Sequence, residues 1–187
     1  MSGINVIQFV VNSSTGNATD FGDLTVSRAT RTGGSINSTT RGLFGGGTDS
    51  DSDVIDYITI ASAANAVDFG DLLAAVNGNA GISNNTRGIW AGGRLGTGGT
   101  IDVIQTVNIA STGDSTDFGD LTVATEYCKG ASGTTRGTIT GGNRSGSGVN
   151  VIETINISSS GNATDFGDLT AVRVYHGSAS SGHAGCQ

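Results

Sequence analysis

Four groups of residues have types and spacings that could do chemistry. Asp49, Asp51 and Asp53 alternate within Thr48–Asp53, and alternating carboxylates offer the hard oxygen donors that Ca²⁺ takes. The run lacks the Gly and distal Glu of an EF-hand loop, and the matching loops, RLGTGGTID and NRSGSGVNV, do not repeat it. A solvated acidic loop accounts for it as well, and calcium is the one cofactor the sequence offers. His183 and Cys186 have HxxC spacing, but a zinc site needs four converging ligands. Cys128 and His176 could serve as nucleophile and base. That chemistry needs a third group to orient the base, and spacing places none, so no catalytic residue is expected. Arg31, Asn79, Cys128 and His176 form the fourth group. Each stands eleven residues beyond a recurring Asp. They differ while their surroundings repeat, so they could line one ligand site with their neighbours Tyr127 and Tyr175.

The recurring Asp belongs to DFGDL, which begins at Asp20, Asp68, Asp117 and Asp165, at spacings of 48, 49 and 48. Val6, Val54, Val103 and Val151 open apolar runs that each begin 14 residues before it. TRG follows in three copies, with Arg41, Arg87 and Arg136 at 21, 19 and 19 residues from the Asp. Each TRG leads into a glycine pair: Gly45–Gly46, Gly92–Gly93 and Gly141–Gly142. From Arg to the next Val the count varies, at 13, 16 and 15. Variable length marks an exposed loop and fixed length marks packed structure.

The unit therefore has about 48 residues and four short extended segments. Segment A is the Gly/Ser-rich stretch before TRG, B runs from TRG to the glycine pair, C is the Val/Ile run, and D surrounds DFGDL. Helix is excluded because C is rich in Val, Ile and Thr, has no 3.6 period and is interrupted by Gly. C is apolar on both alternating faces, so stacked sheets must cover it on both sides. DFGDL is expected to form a tight turn. Its Gly would supply positive φ, its Asp side chains would bond nearby amides, and Phe21, Phe69, Phe118 and Phe166 would plug between units. DFG is similar to the metal-binding triplet of kinases, but no Gly-rich nucleotide loop or HRD motif accompanies it. Arg41, Arg87 and Arg136 are expected to bond an Asp of DFGDL or backbone carbonyls.

Composition agrees with such a chain. Of 187 residues 32 are Gly and none is Pro. The net charge is −7, with Lys129 the single Lys. A nucleic-acid partner needs a basic face and an anionic membrane surface needs the same, so neither is expected. No apolar run approaches the length of a spanning helix, and MSGINVIQFV lacks the basic region of a secretory signal. Two cysteines are too few for a disulfide framework.

A four-stranded unit of this length with a glycine pair after the second strand resembles a kelch-type β-propeller blade. The near-identical copies are also similar to repeat tracts in virion and tail-associated proteins of tailed phages, cyanobacterial ones above all. The expected fold is all-β: one repeat domain over 1–187, with repeat cores at about 6–53, 54–102, 103–150 and 151–187. Its four blades would close as a ring, with the termini meeting in one blade. Half of an eight-bladed dimer or an open array is the alternative. Segment A would be innermost, so Arg31, Asn79, Cys128 and His176 would ring a channel. The resemblance implies a non-enzymatic binding or structural module, virion-associated or extracellular. It would meet another copy, a virion protein or a surface glycan through its B–C loops. An enzyme using the channel, or a purely structural fragment of a longer repeat protein, is the competing reading.

Overall fold

β-Branched side chains pack well on a pleated surface and crowd a helix. The Val/Ile/Thr runs accordingly form strands, and no helix occurs among the described residues. The computed structural model describes residues 3–28, 33–47 and 52–180. The first sheet has two strands, β1 (Ile4–Phe9) and β2 (Thr19–Arg28). The second is a four-strand meander: β3 (Ser35–Asn37), β4 (Arg41–Gly45), β5 (Val54–Thr59) and β6 (Val67–Asp71). In the third, β7 (Val76–Asn77) and β8 (Ala80–Ser83) both pair β9 (Arg87–Leu95), followed by β10 (Thr100–Asn108) and β11 (Thr116–Asp120). The fourth is formed by β12 (Lys129–Ser132), β13 (Arg136–Thr140), β16 (Val151–Asn156) and β17 (Thr164–Asp168). Between its two middle strands, β14 (Asn143–Arg144) and β15 (Ser147–Gly148) make a small hairpin. All pairing is antiparallel, and the three larger sheets carry segments A, B, C and D in chain order. The stretch 176–180, the fourth copy of A, is not a strand.

DFGDL is not a tight turn. It lies within β2, β6, β11 and β17, and its Gly forms a bulge in the D strand. The register slips opposite it in all four sheets, between Ile7/Gln8, Ile55/Asp56, Ile104/Gln105 and Ile152/Glu153. Gly22, Gly70, Gly119 and Gly167 take φ of +145°, +144°, +150° and +141°, a region that favours glycine. The bulge bends the D strand so that its outer edge receives the C–D turn of the next sheet. At the second seam Gly113 N–H donates to Phe69 O (2.7 Å) and Ser115 N–H to Asp71 O (2.8 Å), while Asp114 Oδ1 accepts from Asp71 N–H (3.0 Å). At the third, Gly161 N–H donates to Phe118 O (2.8 Å), Ala163 N–H to Asp120 O (2.8 Å), and Asn162 Oδ1 accepts from Asp120 N–H (3.0 Å). At the first, Ala66 N–H meets Asp23 O (2.8 Å) and Asn65 Oδ1 meets Asp23 N–H (3.0 Å). The bonds thus use the backbone of DFGDL, and the accepting side chain comes from the neighbouring turn.

The core lies between the sheets. One cluster joins Ile36, Leu43, Ile55 and Phe69 of the second sheet to Trp90, Val107 and Ile109 of the third. The other joins Ile89, Ile104 and Phe118 of the third to Ile139, Ile155 and Ile157 of the fourth. Trp90 is fully buried and donates Nε1–H to Gly34 O at 2.7 Å. Gly45 is required beside it, because a Cβ there would lie 2.7 Å from the Trp90 ring. Burying such side chains yields about 25 cal/mol per Å² of apolar surface, which makes the seams the chief source of cohesion. The first sheet has no A or B strand on β1 among the described residues. The seal expected from the C-terminal segments falls mainly on 181–187, which lie outside the described residues.

Candidate functional site

The A segments converge, as their Gly/Ser composition allows. Gly81 packs against the backbone of Gly34 and Ser35, and Gly130 against that of Gly81, approaches that a side chain would prevent. The contacts continue to the fourth copy, where Ser178 Oγ–H donates to Gly130 O at 2.6 Å. These four stretches border a polar cleft of about 420 Å³. Asn79, Ser83, Lys129, Ser132 and His176 are among the polar side chains that line it.

Asn79 and His176, both expected at a central site, line this cleft. Asn79 is buried, and its Oδ1 accepts from Gly34 N–H while its Nδ2 has no partner. His176 is half-buried. Its Nε2 lies 3.0 Å from Thr140 Oγ1 and its Nδ1 has no partner. Burial, then Lys129 and Arg173, holds the imidazole below its ordinary pKa, so it is neutral at pH 7 and can donate or accept.

Cys128 does not join them. It is fully buried in the cluster between the third and fourth sheets, with Sγ 3.8 Å from Ala91 O. The next residue, Lys129, lines the cleft instead. Burial pushes the thiol up to about 12, which removes the thiolate that nucleophilic chemistry needs. Tyr127 and Tyr175 also lie off the cleft lining. Both take positive φ, at 57° and 56°, and their rings lie 4.6 Å apart. Arg31 falls outside the described residues, as do Asp49, Asp51, His183 and Cys186. Asp53 is exposed, and no group of three His, Cys, Asp or Glu is placed to hold a metal among the described residues.

The repeated residues hold the sheets together. Phe21, Phe69 and Phe118 are buried at 9%, 2% and 2% exposure, whereas Phe166 is 53% exposed. Asp20, Asp68, Asp117 and Asp165 remain exposed. Arg41 donates to Ile109 O (2.9 Å) and Arg87 to Ile157 O (3.0 Å), each reaching the next sheet's turn. The guanidinium groups of Arg41, Arg87 and Arg136 lie over Tyr57, Phe118 and Phe166 at 4.6, 5.7 and 5.5 Å.

Sequence reasoning missed a polar latch in segment C. Gln8, Asp56, Gln105 and Glu153 are its third residues. The last three are buried. Asp56 accepts from Thr25 Oγ1 and pairs with Arg28 at 2.9 Å. Gln105 Oε1 accepts from Leu73 N–H (2.7 Å) and Ser115 Oγ (2.8 Å). Glu153 Oε1 accepts from Thr122 N–H (2.9 Å) and Oγ1, and Oε2 lies 3.3 Å from Arg144. Each latch takes its donor from the preceding sheet, just after DFGDL. The signal was a polar residue recurring inside an apolar run.

No protein-family model matches the chain, and no curated protein matches it significantly.

Proposed function

We propose that the chain is a non-enzymatic binding and structural module built of propeller-type blades, virion-associated or extracellular, that meets a protein or a surface glycan through its B–C loops. The observation that carries this reading is how the chemically able side chains are used. Arg28, Asp56, Arg87, Gln105, Cys128 and Glu153 are committed to joining sheets. Two of the B–C connections, by contrast, project as hairpins. Arg94–Ile101 turns on Gly98 and Gly99, beside a depression of about 390 Å³ lined by Ala75, Leu95, Gly96 and Thr97. Asn143–Asn150 contains β14 and β15. The third loop, Thr48–Asp53, lies mostly outside the described residues. A rigid stack with variable loops at one end is the arrangement by which scaffolds carry recognition.

The test is a loop exchange. The tips 96–99 and 145–146 are replaced by Gly-Ser pairs, and each protein is applied to a surface-glycan array and to purified candidate protein surfaces. Binding by the wild type that the exchange abolishes, with the melting temperature unchanged, supports the reading. Binding that survives the exchange contradicts it.

A second reading has its own observation. The unpartnered Asn79 Nδ2 and His176 Nδ1 beside the cleft support a small polar ligand there. Asn79→Ala and His176→Ala would then abolish binding while the loop exchange leaves it intact.

A further inference from the structure

Three seams join the four sheets, and all three are built from the same parts. A C–D turn pairs with the outer edge of the preceding D strand, and its Asn or Asp accepts from that strand's second Asp N–H. The D-strand Gly has no room for a side chain: a Cβ on Gly70 or Gly119 would lie 2.5 Å from the Gly113 or Gly161 carbonyl carbon. The C-strand latch takes its donor from across the seam.

The two ends of the chain carry the unmatched halves of a fourth seam. On β17, Phe166 is 53% exposed and Gly167 has nothing within 4 Å. At the other end, Gln8 and Ala18 are exposed, whereas Gln105, Ala66 and Ala163 at the same places are buried. These halves match residue by residue. Gly16–Leu24 reads GNATDFGDL, identical to Gly161–Leu169, so the free turn has the sequence of the turn already seated on β11. Gln8 is the same residue as the latch Gln105, and Thr170, exposed, stands where Leu73 and Thr122 donate. The stretch 176–180 already lies against β12 through Ser178, as an A segment of a following sheet would. Among the described residues the first sheet has no inner strands, and β1 with its following turn leaves Val6, Phe9, Val10 and Val11 between 42% and 56% exposed.

We propose that a second copy of this chain seats its Gly16–Ala18 turn on the β17 edge, head to tail, so that the internal stack continues from one chain into the next. This goes beyond the binding role and does not rest on it. The bonds expected are Gly16 N–H to Phe166 O, Ala18 N–H to Asp168 O, Asp168 N–H to Asn17 Oδ1 and Thr170 N–H to Gln8 Oε1. Within one chain the two halves do not meet: a Cβ on Gly167 would have nothing within 4 Å, whereas one on Gly22, Gly70 or Gly119 would strike the turn seated there. One part is weaker than at the second and third seams. Asn12 occupies the place of Ile109 and Ile157, which are buried at 1% and 0% exposure. Less apolar area is buried, so the contact is reversible and dependent on concentration. The joined surfaces differ, so the association closes as a ring of copies or extends as a filament.

The experiment is light scattering on the full chain over a concentration series. The wild type is expected to rise above the single-chain 18.6 kDa, with Asn17→Ala and Phe166→Ser each weakening association by about tenfold or more, the former at unchanged melting temperature and the latter with only the small loss that its Arg136 contact accounts for. Both residues are exposed within one chain, so neither variant should impair folding. In a Cys128→Ser, Cys186→Ser background, mixed Asn17→Cys and Asp168→Cys chains should oxidise to a disulfide-linked heterodimer. Three results overturn the proposal: a single-chain mass at every concentration, association that both variants leave unchanged, or a double variant that oxidises only within one chain. The last would show that one chain closes on itself.

Discussion

The thiol of Cys128 and the carboxylate of Glu153 show how position decides what a residue does. Cys128 is a nucleophile by type, yet burial holds its thiol near a pKa of about 12. Iodoacetamide at pH 8 should leave it unmodified in the folded protein and label it only after denaturation, read by mass spectrometry. The linkage has a definite sign. The folded pKa exceeds the unfolded one, so this contribution is complete below about pH 9 and is lost as pH rises toward 12. Glu153 carries a buried charge between Thr122 and Arg144. Glu153→Ala leaves both partners unsatisfied and should cost about 3 kcal/mol in thermal unfolding. Glu153→Gln should cost much less, because Gln105 does the same work one sheet earlier. The type of each residue could be read from the sequence. Burial could not, because the sheet that covers Cys128 is formed by distant residues.

Among the elements, segments A to D were legible from spacing, and the three larger sheets carry them in that order. The bulge was not. DFGDL has the composition of a turn, but pairing with the C strand draws it into the ladder, and only its Gly takes the unusual φ. Gly119→Ala combines a φ of +150° with a Cβ 2.5 Å from Gly161 C, and should destabilise by about 2–4 kcal/mol. Arg87→Ala removes the bond to Ile157 O and the contact with Phe118, at a cost of about 1–2 kcal/mol by calorimetry. The middle seam uses Asp114 where its neighbours use Asn65 and Asn162. Partial desolvation, then Asp53, Asp114 and Asp68, raises the Asp71 carboxyl above its ordinary value. Asp114→Asn should therefore raise the melting temperature at pH 7. The gain should vanish at low pH, where the carboxyls are protonated.

For the molecule as a whole, the repeat predicts a stack whose stability is a sum of sheets and seams. The described residues form three seams, and the D edge of the last sheet carries no seated turn among them. Sequence spacing specifies which segments belong to one unit. It does not specify whether the partner of the last edge lies on the same chain, because identical turns fit either way. The C–D turns of the second, third and fourth sheets are each seated on the D edge of the sheet before. Site-resolved amide exchange tests that claim directly. Gly113, Ser115, Gly161 and Ala163 lie in turns, yet each donates across a seam. The account predicts that they exchange as slowly as Ile55 and Ile104 in the core strands. Exchange at the rate of the exposed hairpin tip around Thr97 would contradict it.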